Sequence, residues 1–268
     1  HKALLRFRSD AVSRLTGVAF RRVRVRKGIW YQGRFVEPTI HLANWYSRKC
    51  LGRIVGDRSI WNLDPVDRWI GPADLYDQMF DAMRDRIDLG IPADFACDPK
   101  PIISTAPLPV ALQECGLLPA RPPSFKRAPI TVVRHRLAGC DVHQTVYFPD
   151  LDSSLYRASI TGDLLIAEFV GDPDEDWETQ VQMAFGLPSI GTPLEAVQQK
   201  YGKIAPIDEQ FRRRAIVRLT TERQIFSVGR FATWRNILLD DVVNDLAVVK
   251  RLIHSSAYEQ HLHGARPL

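Results

Sequence analysis

Several common chemistries are missing from this sequence. It lacks G-x-x-x-x-G-K-[ST], so it is not a Walker-type nucleotide binder, and it lacks G-x-S-x-G, H-E-x-x-H and G-x-G-x-x-G. No stretch of about 18 uncharged apolar residues exists, which excludes a spanning helix. The four cysteines, Cys50, Cys97, Cys115 and Cys140, form no C-x-x-C pair and have no histidine at zinc-finger spacing. No metal site is expected. Scattered thiols in a chain of 268 residues without an N-x-S/T site point to a reducing compartment, hence the cytoplasm. His261 and His263 read as tail residues, and no nucleophile–base pair stands out. The chain opens on His1, and Arg6 and Arg8 interrupt any apolar leader. It is therefore expected to be a piece of a longer product, or a processed one.

What is present is ordinary for a globular protein: 45% hydrophobic and 25% charged residues, with a net charge of +5. The length suits one large domain or two intertwined ones. Residues 18–36 alternate, with Val23 and Val25 on one side and Arg22, Arg24 and Arg26 on the other. Lys27-Gly28 and Gln32-Gly33 supply turn signals, so this is a β-ribbon with a basic face. The fourfold spacing of Leu75, Met79, Met83 and Ile87 predicts a helix over 72–89, with the methionines in the core. Ile102 to Thr105 reads as a short strand, Val110–Cys115 as a helix, and Leu118–Pro129 as an exposed connection. From Ile130 the period becomes two. Strands are expected at 130–137, 142–148, 155–161 and 164–170, forming an antiparallel sheet with one covered face. Helices are then expected at 174–186 and 193–201, and strands at 215–220 and 224–228. A helix opened by Asp240 and Asp241 follows, with Val242, Val243, Leu246, Val249, Leu252 and Ile253 as its apolar positions. Strand, glycine turn, then helix is a common way to present backbone N–H groups to an anion.

Two segments acquire meaning together. One is Val228-Gly229-Arg230-Phe231-Ala232-Thr233-Trp234-Arg235 followed by Leu238-Leu239-Asp240-Asp241-Val242-Val243; the other is Ile102-Ile103-Ser104-Thr105-Ala106-Pro107-Leu108. Together they resemble the FAD-dependent superfamily that holds UDP-galactopyranose mutases, protoporphyrinogen oxidases and amine oxidases. Mutases carry a G-R-x-x-T-Y-R run, matched here by Gly229, Arg230, Thr233 and Arg235, with Trp234 in place of the tyrosine. Asn236 and Leu238 depart from the mutase pattern, where a second tyrosine and an acid stand.

The resemblance implies an α/β fold of α+β character: an FAD-binding α/β remnant with an antiparallel-sheet substrate domain. It implies an N-terminal part at 1–129, a substrate domain at 130–214 and a C-terminal strand–turn–helix at 215–268. FAD would be contacted by Ser104, Thr105, Pro107, Gly229, Arg230, Asp240, Asp241 and Val242, with Arg230, Tyr156 and Arg157 as catalytic candidates. The phosphate-cradling strand–glycine turn–helix, roughly thirty residues long, is not among these residues, so this chain alone is expected to hold FAD weakly or not at all. The implied function is the C-terminal portion of a flavin oxidoreductase or mutase-like enzyme. Its partners would be a small, anionic substrate and the missing N-terminal segment or another chain. The alternative is a non-catalytic flavoenzyme-like scaffold serving in assembly or binding. A third reading, nucleic-acid binding through Arg21, Arg22, Arg24, Arg26 and Lys27, is opposed by the modest net charge, because a charged strand face is ordinarily just solvated.

Overall fold

A computed structural model describes residues 6–56, 60–96 and 101–255. His1, Cys97, His261 and His263 lie outside the described residues. The chain opens with β1 (Arg6–Phe7), α1 (Ala11–Thr16), β2 (Arg21–Tyr31), β3 (Arg34–Val36), α2 (Ile40–Leu51) and β4 (Val66–Ile70). Next come α3 (Leu75–Met83), a 3-10 turn (Arg84–Arg86), β5 (Ile102–Ser104) and α4 (Leu108–Glu114). The middle holds β6 (Arg127–Arg136), β7 (Val142–Tyr147), β8 (Leu155–Gly162), β9 (Leu164–Val170), α5 (Trp177–Phe185) and β10 (Thr192–Ile204). The chain closes with α6 (Glu209–Arg223), β11 (Ile225–Ser227) and α7 (Leu239–Ile253). The fold is mixed α/β, as expected.

Two compact units interleave along the sequence. The first gathers residues 6–8, 19–74 and 126–205; the second gathers 9–18, 75–125 and 206–255. The first unit is built on a nine-stranded sheet in the order β1-β4-β2-β7-β8-β9-β6-β10, with β3 also paired to β2. Its pairings are antiparallel except for β2 on β7. Alternation along the strands sends side chains to two apolar layers. Val146, Leu155, Ile160, Leu165 and Phe169 pack with Trp177 and Val181 of α5. Ile29, Val132, Tyr156, Leu164 and Ile166 pack with Leu42, Tyr46 and Cys50 of α2. Thr39 caps α2 by accepting from the Leu42 amide at 3.2 Å.

The second unit has a two-stranded parallel sheet, β11 on β5, in register Ile225↔Ile102 to Ser227↔Ser104. Phe226 and Val228 bury against Val249 of α7.

Four expectations fail. The sheet is covered on both faces rather than one, by α5 on one side and α2 on the other. Residues 193–201 form β10, not a helix. Glu195, Ala196, Gln198 and Gln199 are good helix formers, but the backbone ladder to β6 over Thr192–Ile204 overrides propensity. Residues 215–220 lie inside α6, not a strand. The β-branched residues there suggested a sheet, yet burial selects Ala215 and Leu219, one helical turn apart. Asp208 accepts from the Phe211 amide at 2.7 Å, and Glu209 pairs with Arg212 and Arg213 to open that helix. Finally, the helix expected over 72–89 is shorter, and Met79 and Met83 are 38% and 52% exposed rather than in the core. Periodicity places residues on one face of a helix; it does not supply an element to cover that face.

Candidate functional site

Strict alternation would send Tyr156 and Arg157 to opposite faces of β8. A register shift prevents this: Leu155 pairs with Phe169, but Arg157 pairs with Glu168, so the strand carries an extra residue against β9. This β-bulge aims both side chains at the α2 face, where Glu168 meets them. The Tyr156 hydroxyl donates to Glu168 Oε1 at 2.8 Å. The Arg157 guanidinium forks onto the same carboxylate through Nε and through Nη2, the latter at 2.7 Å. Lys203 of β10 stacks its ammonium over the Tyr156 ring, 4.3 Å from the centroid.

Charges settle the protonation states. Burial would raise the Glu168 carboxyl, but the charge and hydrogen bonds of Arg157, with Lys203, outweigh it and hold the group below its ordinary value. Burial would lower the Arg157 guanidinium, and the Glu168 charge outweighs that too, raising it well above its usual value. Tyr156 is pushed far up, first by burial and then by the Glu168 charge, so it stays a neutral donor and cannot act as a base near neutrality. Arg6 adds another cation to this unit. It donates to Thr161 Oγ1 at 2.7 Å, Thr145 Oγ1 at 2.6 Å and two main-chain carbonyls. Burial, then the nearby Arg157, lowers it to about 10.

Neither Glu168 nor Lys203 was singled out from sequence. Glu168 had a signal: it is the only charged residue in Leu164–Val170, an otherwise apolar strand. Lys203 had none: it lies beyond the helix expected over 193–201, in a stretch assigned to no element.

In the second unit the carboxyl ends of β5 and β11 carry Ser104 and Ser227, both buried. The Ser104 hydroxyl accepts from the Ala106 amide at 3.2 Å, and the Val228 amide donates to the Ser104 carbonyl at 2.9 Å. The Ser227 hydroxyl is buried without a hydrogen-bond partner. Thr105 is exposed; Pro107 sits at the entry to α4, where the Leu108 amide reaches the Phe231 carbonyl at 2.9 Å. Gly229 has φ +92, and a Cβ built on it meets nothing within 4 Å. Arg230 is half-buried, its guanidinium carbon 5.9 Å from the centre of the Phe231 ring.

The turn that follows is held by its own residues. Thr233 Oγ1 donates to the Gly229 carbonyl at 2.7 Å, Arg212 donates to the Thr233 carbonyl at 3.2 Å, and Arg235 pairs with Asp245. Trp234 takes φ +47, a conformation costly for a bulky side chain, and packs edge-on to Phe125 at 5.0 Å. At α7, Asp241 accepts from the Leu238 amide at 2.8 Å, which caps the helix. Asp240 is buried and accepts from the Ser9 amide and hydroxyl at 2.9 and 2.8 Å. Val242 packs against the β11 side of the core. The sequence-chosen residues of this unit therefore gather around the ends of β5 and β11 and the start of α7, while Tyr156 and Arg157 belong to the other unit. Among the described residues no cluster of metal ligands occurs, and no helix is long and apolar enough to cross a membrane.

No protein-family model matches the chain, and no curated protein sequence matches it. In structure it is similar to a reduced UDP-galactopyranose mutase, with a TM-score of 0.64 at 12% identity over 97% of this chain and 84% of that one. Two other solved structures align with lower TM-scores. The tryptophan 5-halogenase MibH gives 0.39 at 12% identity over 91% of this chain and 54% of its own. BrvH, a flavin-dependent halogenase from Brevundimonas sp. BAL3, gives 0.35 at 12% identity over 82% and 45%. At such identity the likeness to the mutase is one of fold.

Proposed function

We propose that this chain is the C-terminal portion of an FAD-dependent oxidoreductase or mutase-like flavoenzyme acting on a small anionic substrate. The observation that carries this reading is the Gly229 turn: a left-handed glycine at the carboxyl end of a parallel strand pair, with open space where a side chain would stand. Only a residue without a Cβ lets a planar ring approach the backbone there. The buried, unpartnered Ser227 hydroxyl is a donor awaiting an acceptor in the same unit. These residues, with Ser104, Thr105, Pro107 and Arg230, fit the ring end of a flavin. The start of α7 does not fit a phosphate, because Asp240 and Asp241 already occupy it with negative charge. The bound flavin would supply the electron chemistry. Arg230 would neutralise an anionic group of the substrate.

The test is a titration of riboflavin and of FAD with the purified chain, read by quenching of flavin fluorescence, repeated with Gly229→Val. Weak but saturable binding of both ligands at similar affinity, lost in the variant, is the expected result. No binding of either ligand, or binding untouched by Gly229→Val, would overturn it. The carboxylates at α7 also favour a second reading, a flavoenzyme-like scaffold without catalysis, and that outcome would put it first.

A further inference from the structure

Arg22, Arg24 and Arg26 occupy alternate positions of β2 and share the face opposite the buried Val23 and Val25. The rest of that face is not plain solvated charge. Gly28 and Trp30 continue the row, and the Phe35 ring of β3 lies across Gly28: a Cβ there would come within 2.8 Å of it. Phe35 stays 51% exposed and meets Trp30 edge-on at 5.1 Å. At the other end Trp69 of β4 stands in register with Arg22, half-buried. One strand face thus reads aromatic, three guanidinium groups, aromatic. Its charges are about 6.7 Å apart along the strand, two residues at the usual rise. Asp67 pairs with Arg22 and Arg24 and offsets part of the charge.

We propose that this face of the first unit binds single-stranded nucleic acid, with Arg22, Arg24 and Arg26 along the phosphates and Phe35 as a stacking platform for a base. A row of cations beside an exposed ring is the chemistry that holds unpaired strands without reading their sequence. Duplex DNA keeps its bases stacked internally and would leave Phe35 without a partner. The net charge of +5 measures the whole chain and misses this local arrangement.

The experiment is fluorescence anisotropy of a labelled oligothymidylate with the full chain across a salt series, with heparin as a base-free polyanion. Three phosphate contacts predict a slope of about −2 in log K against log salt. Arg22→Gln/Arg24→Gln/Arg26→Gln should flatten that slope and weaken low-salt binding at least tenfold. Phe35→Ala should cost about tenfold by removing one stacked base. Asp67→Asn should tighten binding several-fold, a gain that a misfolded variant cannot produce. Three results would each overturn the proposal: no binding at low salt, Asp67→Asn without effect, or heparin bound as tightly as the oligonucleotide with Phe35→Ala unchanged. The last would leave a generic polyanion surface.

Discussion

Replacing Glu168 by Gln keeps the shape of the side chain and removes its charge. Three hydrogen bonds converge on the carboxylate, two from Arg157 and one from Tyr156. Removing one partner of a buried pair costs about 3–5 kcal/mol, mostly because the other charge is left uncompensated. Here the Arg157 side chain is 36% exposed while Glu168 is 11% exposed, so water recovers part of the guanidinium solvation. Two features push the other way. The lost anion also faced Lys203, and Arg6 already feels repulsion from Arg157. We expect Glu168→Gln to destabilise the protein by about 2–3 kcal/mol. Urea unfolding, followed by tryptophan fluorescence and by far-ultraviolet circular dichroism, should show a lower midpoint with an unchanged slope. The double variant Arg157→Met/Glu168→Leu removes both charges and should recover most of the loss, because apolar groups of similar volume can replace a buried pair at little cost. A loss below about 0.5 kcal/mol in the single variant, the range of an ordinary surface change, would refute the claim that the bulged pair is a coupled, desolvated unit. So would a double variant worse than the single.

Leu219 is fully buried on α6, so Leu219→Ala should cost about 2–5 kcal/mol in the same assay, whereas Val217→Ala on the exposed side of that helix should cost little. Lys49 donates to the carbonyls of Phe148 at 2.9 Å, Asp150 and Leu155, and burial lowers it from 10.5 to about 8. The unfolded chain therefore holds that proton more tightly between pH 8 and 10.5, and stability should rise with pH across the window; thermal midpoints in Lys49→Met should lose that component. Arg230→Ala should weaken flavin binding only a few-fold in the fluorescence titration, because the neutral end of the flavin offers the guanidinium no charge to meet. Arg235→Ala, by contrast, should lower stability and spare flavin affinity, because Arg235 is committed to Asp245.

Much of the architecture was legible because its cause is local. The alternation in Ile130–Leu137, Val142–Phe148, Leu155–Thr161 and Leu164–Val170 matches β6 to β9 within a residue at every end but one, since successive strand side chains alternate between faces; β6 starts three residues early, at Arg127, inside the stretch read as a connection. The Gln32-Gly33 turn is equally local: both residues take positive φ, at +50 and +74. β10 and α6 were illegible because distant contacts decide them. In β10, Leu194 and Ala196 are exposed and the strand exists through its ladder to β6, some sixty residues earlier. Ala215 and Leu219 face inward on a helix started by Asp208 and Glu209, residues that lay outside the window read as a strand. The bulge in β8 is the sharpest case. Tyr156 and Arg157 were both named from sequence, yet period two allows only one of them on a given face; the extra residue resolves this and has no composition signal of its own.

The start of α7 shows why one sequence pattern can carry two incompatible meanings. Acids in a first turn stabilise a helix by answering its unpaired N–H groups and its dipole. An anionic ligand does the same with the same groups. The pattern Leu238-Leu239-Asp240-Asp241 predicts a helix start under either reading, and α7 begins at Leu239 as expected. The donors, however, can be used only once. Asp241 takes the Leu238 amide, and Asp240 is drawn onto Ser9, which ties α1 to the same end of α7 within the second unit. Negative charge placed there repels a phosphate with the field that would otherwise attract it. Any flavin affinity in this unit must therefore come from the neutral end of the ligand, where Gly229 leaves room and Ser227 has a hydrogen bond to give.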